Sequence, residues 1–501
     1  MNRIVNIQPS QLESIVENLT QISRTISCLV EAAQKGDYEV YLVGGFLRDA
    51  LLGKSSKDVD FVSNKAFELS QLVARQTGSK QVLIDRKFGT VRLVPSLRAD
   101  GTGEPYQIDL SPLRGSSIFD DLYRRDFTIN SLALNISAWR SNRETALLDP
   151  VGGVTDLEEG RLRVCSQSSL LDDPLRILRA YRLASAYDLS FAAQTRKCIL
   201  QQRHRLNLVA IERIRDEMML IFSGQSSASI FRMLDEDGIL RVLFPECVDM
   251  RSLQLNASEH QEVWQHSFLA LEALEFFLTN IREFFGKHAE EALAILTQKL
   301  AGERTRQTAL KLGVLFHDIS RRRRSFLGKT GAIDSHGQQV AGSELTASLC
   351  TRLRLSNKEI NFVSQLVRQQ MRPVHLFRFA RTPSVALARF FRLGPELFWP
   401  LLLLFASDYK AFQESVADGN DLQPLRRRIC GWLDFYYERL KPRELEPPIV
   451  NGHGLMKYFH LSPGPLVGKL VSALAELQWE GRIGTQQEAL EQATRLLEEW
   501  K

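Results

Sequence analysis

Two aspartates stand one residue apart in the run DVDFV, at Asp58 and Asp60. Side chains alternate along a strand, so both carboxylates point to one face with Val59 opposite. Carboxylates held that close repel one another unless a cation sits between them. Hard oxygen donors suit Mg²⁺, which is usually held by one or two carboxylates together with substrate phosphates. Just upstream, Gly44-Gly45 follows an apolar strand and precedes the helical run FLRDALL, with Gly53 placed to end it. A glycine turn feeding a helix N-terminus offers backbone N–H groups to phosphate. Arg48 would add a guanidinium to the same group. Asp-x-Asp by itself also suits a solvated strand, so its meaning depends on the elements around it.

Those elements are of two textures. From residue 38 to about 165, short β-rich runs (EVYLVGG, DVDFV, QVLID, TVRLV, YQIDL) alternate with turns and two helical stretches. Residues 10–35 carry amphipathic helical spacing. Beyond about 170 the strand signals fade. LLDDPLRILRAYRLASAYDL and IERIRDEMMLIF have apolar residues at helical spacing, and the pattern continues to Lys501, interrupted by loops at 321–335 and 441–454. No fixed-period repeat is present. The expected class is α+β, a mixed sheet with flanking helices followed by an all-α neck and body.

A chain of 501 residues exceeds one ordinary domain. With 64 basic and 59 acidic residues, the net charge of +5 permits a nucleic-acid partner without requiring one. The six cysteines lie far apart with no CxxC pair, which excludes a zinc ribbon and fits a reducing cytoplasm. The N-terminus lacks the continuous apolar core of a signal peptide. LFWPLLLLFA, at 397–406, is too short for a bilayer and contains a proline. A cytoplasmic protein with no membrane partner is expected.

The full string GG-x-x-RD-x-LLG-x₄-DVD resembles the head of the class II tRNA nucleotidyltransferases and bacterial poly(A) polymerases, members of the polymerase β-like superfamily. RRDFTINSLALN (124–135), LLDPVGGVTDLEEGRLRV (147–164), LDDPLRILRAYRLA (171–184) and ERIRDEM (212–218) resemble further motifs of that family, in order. The resemblance implies template-independent transfer of CMP, and of AMP from ATP, to tRNA 3′ ends. It implies two Mg²⁺ ions on Asp58 and Asp60, with Asp109 as a third carboxylate. Gly44, Gly45, Arg48, Arg125, Asp126 and Asn130 would contact the triphosphate and sugar. Asp173 and Arg176, with Arg179 on the same segment, would read the Watson–Crick edge of the base as a protein template. Their i, i+3 spacing is expected to place Asp173 and Arg176 on one helix face.

Two departures from the family bear on specificity. Asp172 stands where the motif usually has Glu. Only fourteen residues, 110–123, join Asp109 to Arg124, a shortened loop. In the family a short loop accompanies enzymes that add the two cytidines and leave the adenosine to a separate A-adding enzyme. CC-addition is therefore the expected activity, ahead of poly(A) polymerase.

Further on, His266, the pair His317-Asp318 and Asp408 match the metal ligands of the HD phosphohydrolases. This resemblance implies a divalent transition metal in the body and a rival activity as phosphohydrolase or phosphodiesterase. Gln370 stands where another histidine is often found, and Ser320-Arg321 replaces Gly-Lys. Basic clusters at 321–324, 372–381 and 426–428 would meet an RNA backbone. The expected divisions are an N-terminal helical segment (1–36), head (37–165), neck (166–225), HD-like body (226–415) and helical tail (416–501).

Overall fold

The computed structural model describes residues 19, 23–35, 38–85, 89–95, 106–136, 147–245, 254–256, 259–320, 335–416 and 421–500. The start of the expected N-terminal helix and the cluster Arg321–Arg324 lie outside these residues. The chain divides into two units, Met1–Ala210 with Glu236–Leu243, and Ile211–Asp235 with Phe244–Lys501.

The first unit is built on a seven-stranded sheet. In chain order its strands are β1 (Val40–Val43), β2 (Asp58–Ser63), β3 (Lys80–Asp85), β4 (Thr90–Val94), β5 (Gln107–Pro112), β6 (Ala133–Asn135) and β7 (Leu147–Leu148). They lie in the order β3-β4-β5-β2-β1-β6-β7. β2 and β5 run parallel and the other pairs are antiparallel. The helices of this region are α1 (Arg24–Lys35), α2 (Gly45–Leu51), α3 (Ala66–Thr77) and α4 (Ile118–Tyr123).

Period-two alternation decides which face is buried. Val59, Phe61, Val91, Leu93, Ile108 and Leu110 are all sealed from solvent. α3 packs on β4 and β5, and α1 packs on α3. Each such burial contributes roughly 1.5–3 kcal/mol. On the opposite face Ile118 and Leu122 of α4 cover Tyr41, Val43, Val62 and Ala133. That cover stops short of the start of β2, where Asp58 is exposed and Asp60 half-buried.

After β7 come α5 (Gly153–Glu158), α6 (Ser169–Asp172), α7 (Arg176–Tyr187) and α8 (Ala193–Gln202). The apolar spacing of 170–189 predicts one helix, and the structure breaks it. Asp173 is extended, with φ −147° and ψ 98°. The cause is Pro174, whose ring excludes helical geometry from the residue before it. Asp173 and Arg176 therefore do not share a face of one helix. Asp173 precedes α7, and its Oδ1 accepts from the Leu175 N–H at 3.3 Å.

Apart from two short β-ribbons, the described second unit is helical. It includes α9 (Ile211–Ser223), α10 (Val263–Thr279), α11 (Arg306–Phe316), α12 (Ser335–Arg352), α13 (Asn357–Gln369) and α14 (Pro395–Val416). The apolar run of α14 is core: Phe398, Trp399 and Leu401 to Leu404 are buried. Among the described residues no single helix is long and apolar enough to cross a membrane. Toward the C-terminus, α15 (Gly452–Phe459), α16 (Pro465–Trp479) and α17 (Gln486–Glu499) close over their own core of Leu455, Leu470, Leu474, Ile483, Ala489 and Ala493.

Candidate active site

Residues directly opposite in a sheet share a face, and the register aligns one row across five strands. Val43 pairs with Asp60, Asp60 with Asp109, Asp109 with Arg92, and Arg92 with Val82. The third carboxylate expected from sequence thus lies beside the second. Arg92, which sequence reasoning missed, holds Asp109 in a fork: Nε donates to Oδ1 at 2.7 Å and Nη2 to Oδ2 at 2.8 Å. Burial and the neighbouring Asp109 carboxylate push Asp60 up to about 6, with Asp58 adding to the push and Arg125 opposing it. A carboxyl that ionises this reluctantly lacks positive charge, and the donor set of Asp58, Asp60 and Asp109 fits a divalent cation.

The glycine turn closes on the same point. Gly44 has φ +82°, and a Cβ there would stand 3.3 Å from Arg125 Nη1 and 3.5 Å from Asp60 Oδ2. Gly44, Arg125 and Asp60 therefore meet at one place, on a left-handed backbone that favours glycine. Asp121, buried, aims Arg125 by accepting from its Nε at 2.9 Å. The other oxygen of Asp121 accepts from the Arg114 N–H at 3.1 Å.

Arg48 differs from the expected phosphate clamp. It is buried, and its guanidinium is turned inward. Nε donates to Asp49 Oδ1 at 3.0 Å, Nη1 donates to Asn130 Oδ1, and Nη2 donates to Tyr187 Oη. A phosphate would have to displace these partners, so the structure makes Arg48 a support for Asn130. Asn130 in turn donates through Nδ2 to Asp126 Oδ1 at 3.1 Å, and Asp126 Oδ2 accepts from Arg179 Nη1 at 3.2 Å. Burial alone would raise the Asp126 carboxyl; Arg179 and the Asn130 and Phe127 donors outweigh it and hold it below the usual range.

The end of the head and the start of the neck brace this loop. A Cβ on Gly153 would stand 2.1 Å from the Thr128 carbonyl oxygen, and Asp149 caps α5 by accepting from the Gly153 and Val154 N–H groups. Arg176 spends its guanidinium on carbonyl oxygens: Nη1 on Ser169 at 3.0 Å and Arg125 at 3.3 Å, Nη2 on Arg124 at 3.1 Å. These bonds set Arg176 directly behind the RRD residues.

In the second unit, α10 carries His266, α11 runs into His317-Asp318, and α14 carries Asp408. The structure brings all four together. His266 Nε2 donates to Asp408 Oδ1 at 2.7 Å. His317 donates through Nδ1 to the Val314 carbonyl at 2.7 Å, which turns Nε2 toward Asp408 at 3.3 Å and Asp318 at 3.4 Å. Burial alone would lower His317; the carboxylates of Asp318 and Asp408 outweigh it and hold the imidazole up at about 9. His266 Nδ1 is buried without a hydrogen-bond partner. Ligand atoms of His266, His317 and Asp318 lie within 4.8 Å of one another, the one such trio among the described residues. The donor set fits a borderline divalent ion. Gln370, in place of the further histidine, donates to the His317 carbonyl at 2.8 Å.

Carboxylates beside a glycine turn, an aimed arginine and a braced loop at Asn130 make the arrangement of a nucleotidyltransferase head on a mixed sheet. A family model described as the poly A polymerase head domain matches residues 40–163, and one described as a probable RNA and SrmB-binding site of polymerase A matches 188–250. The chain is 32% identical over 337 residues to the CC-adding tRNA nucleotidyltransferase of Geobacter sulfurreducens, covering 66% of this chain and 70% of that one. It is 29% identical to the A-adding tRNA nucleotidyltransferase of Deinococcus radiodurans, over 91% of this chain and 95% of the relative. The solved Thermotoga maritima CCA-adding enzyme complexed with tRNA_CCA shares the fold, with TM-score 0.61, 23% identity, and coverage of 96% and 98%. The chain belongs to the class II tRNA nucleotidyltransferase and poly(A) polymerase family.

Proposed function

We propose that this chain is the CC-adding member of a two-enzyme system, extending tRNA 3′ ends with CMP and leaving the adenosine to a separate enzyme. Nucleotide addition to tRNA 3′ ends is the activity of its family. The observation that carries the reading is the convergence of Asp60, Gly44 and Arg125, with Asp109 adjacent. Asp58 and Asp60, with Asp109, would hold two Mg²⁺ ions, and divalent ions bound there supply charge stabilisation for an in-line displacement at phosphorus. Arg125 neutralises triphosphate charge, and Asn130 meets the sugar. Asp173 would accept from an exocyclic amine of the base, and Arg176 would donate to its ring acceptors through the guanidinium N–H groups not used on the Ser169, Arg125 and Arg124 carbonyls.

Single-nucleotide specificity is supported by the connection after β5. The link between β5 and α4 is residues 113–117, and it is pinned. Ser116 donates to Asp120 Oδ2 from both N and Oγ, at 3.0 and 2.6 Å, and the Arg114 N–H is tied to Asp121. A turn held this firmly keeps one pocket shape, where a C-to-A switch needs two.

Incubation of tRNA lacking its CCA end with labelled CTP, and of CC-ended tRNA with labelled ATP, tests the reading. CMP incorporation with no AMP incorporation is expected. Incorporation by Asp58→Ala/Asp60→Ala at the wild-type rate would sink the mechanism.

The body carries a second reading, favoured by the closure of His266, His317, Asp318 and Asp408 on one point. These residues would hold a divalent transition metal that activates water for phosphoester hydrolysis. Hydrolysis of bis-p-nitrophenyl phosphate that depends on added Mn²⁺ or Ni²⁺ and vanishes in His317→Ala is expected. The body also offers a cleft of about 520 Å³ lined by Arg381, Thr382, Pro424, Arg427, Arg428 and Trp432, where an RNA backbone would dock by charge and shape.

A further inference from the structure

Arg179 and Tyr187 lie on the same helix, α7, and each starts an arm that ends on Asn130. One arm is Arg179 to Asp126 to Asn130 Nδ2, at 3.2 and 3.1 Å. The other begins at the far end of α7. The Tyr187 hydroxyl accepts from Arg48 Nη2 and donates to Asp49 Oδ1 at 2.6 Å. Its ring carries the Arg48 guanidinium 4.1 Å above the centroid, with Lys54 Nζ 4.4 Å away. Arg48 Nη1 completes the arm by donating to Asn130 Oδ1.

The two arms fix both ends of one carboxamide. Asp49 alone cannot do this, because it grips only the Nε and Nη2 edge of the guanidinium. The hydroxyl and ring of Tyr187 supply the plane in which Nη1 points at Asn130. Burial, with Asp49 adding, pushes the phenol up to about 12, so it stays a donor across any working pH. The Asn130 amide has two N–H donors and uses one on Asp126, leaving the other for a ligand.

We propose that Tyr187 is a positioning residue that orients Asn130 through Asp49 and Arg48, so the helix that begins at the base-reading residues also sets the group that reads the sugar. This rests on the reading that Asn130 meets the nucleotide sugar. It makes base selection and sugar selection one mechanical unit.

The test uses the full-length protein with CMP addition to tRNA, and compares CTP with dCTP. Tyr187→Phe keeps the ring and removes the hydroxyl. It should lower kcat/KM for CTP about 10-fold while barely changing dCTP, so discrimination falls, and the KM for tRNA should stay put. Asp49→Asn, cutting the same arm at its next member, should act alike. Lys54→Ala removes a ring contact without touching the hydroxyl and should leave discrimination intact. In an Asn130→Ala background Tyr187→Phe should cause no further loss, because a residue acting through another is non-additive with it. Intact discrimination in Tyr187→Phe, or additive losses in the double variant, would overturn the proposal. If Asn130→Ala itself left the CTP/dCTP ratio unchanged, the sugar-facing role of Asn130 would fail and this inference with it. CMP incorporation by the unmodified protein decides the proposed function separately.

Discussion

In the head, Asp60 stands beside Asp109 and its carboxyl is pushed up to about 6; in the body, Asp408 lies against two histidines that hold its carboxyl well below the usual range. Both regions gather acidic groups, yet they balance charge in opposite ways. The head balances its carboxylates only in part, Arg92 on Asp109 and Arg125 near Asp60, which leaves a site prepared for a cation delivered with a substrate. The body closes its own charges, with a protonated imidazole in the place a metal would take. A metal entering the body must displace that proton, so its binding releases protons and depends on pH. A metal entering the head meets an Asp60 carboxyl that is ionised above about pH 6.

The largest effect should come from removing the head's carboxylate. Asp60→Ala should lower CMP transfer by about 10³-fold or more, since charge stabilisation of phosphoryl transfer is its main catalytic source. His317→Ala should leave transfer within about twofold, because no proposed step of transfer uses it. Transfer lost equally in both variants would break the division of labour between head and body.

Arg92 gives a sharper probe of the head. Arg92→Gln would leave Asp109 uncompensated beside Asp60. Asp60 would then ionise still less readily, and the acid limb of kcat/KM against pH should move up by about one unit, with about a 3-fold loss at pH 6.5 that approaches about 10-fold below about pH 6. An acid limb that stays in place would show that Asp60 does not set it.

The two sites also predict how stability follows pH in a chelator. His317 is held at about 9, above its ordinary 6.5, so its contribution is fully present below 6.5 and is lost as pH rises through 9. Asp60 is raised to about 6 from 3.8, so the metal-free protein gains stability as pH falls through 6 toward 3.8. Tm without metal should therefore drop between pH 6.5 and 9.5, on the order of 5 °C. Mn²⁺ should reverse that drop in the unmodified protein and not in His317→Ala. A Tm that rises over this interval would contradict the protonated imidazole.

Much of the head was legible because its signals are local. Asp58 and Asp60 share a face by alternation alone, and β1, β2, β4 and β5 carry their β-branched, aliphatic and aromatic residues in short runs or at every second position. Arg92 was not legible, because the register that sets it against Asp109 is a non-local pairing. The break at Asp173 was readable from Pro174, yet apolar periodicity on either side concealed it. Arg48 shows the limit of reading charge without partners. Its guanidinium looks like a phosphate ligand until Tyr187, 138 residues beyond Asp49, folds against it. In the body the reverse holds: His266 and Asp408 are 142 residues apart and are legible only as members of an ordered motif.

The smallest expected effect concerns the turn after β5, where the head's specificity can be loosened without touching its charge. Gly115, with φ +119°, sits against Asp120, and Ser117 caps α4 by accepting from the Asp120 N–H at 3.2 Å. Asp120 thus ties residues 115–117 into one corner, while lying near the surface. Asp120→Ala removes the acceptor for both Ser116 donors and keeps the Ser117 cap. The corner should then sample more than one shape, and the pocket with it. AMP incorporation into CC-ended tRNA, relative to CMP incorporation, should rise about threefold, with the rate of CMP addition changed less than that. A ratio that stays fixed while the corner loosens, read as faster amide exchange at Ser116 and Ser117, would separate specificity from the turn and place it on Asp173 and Arg176 alone.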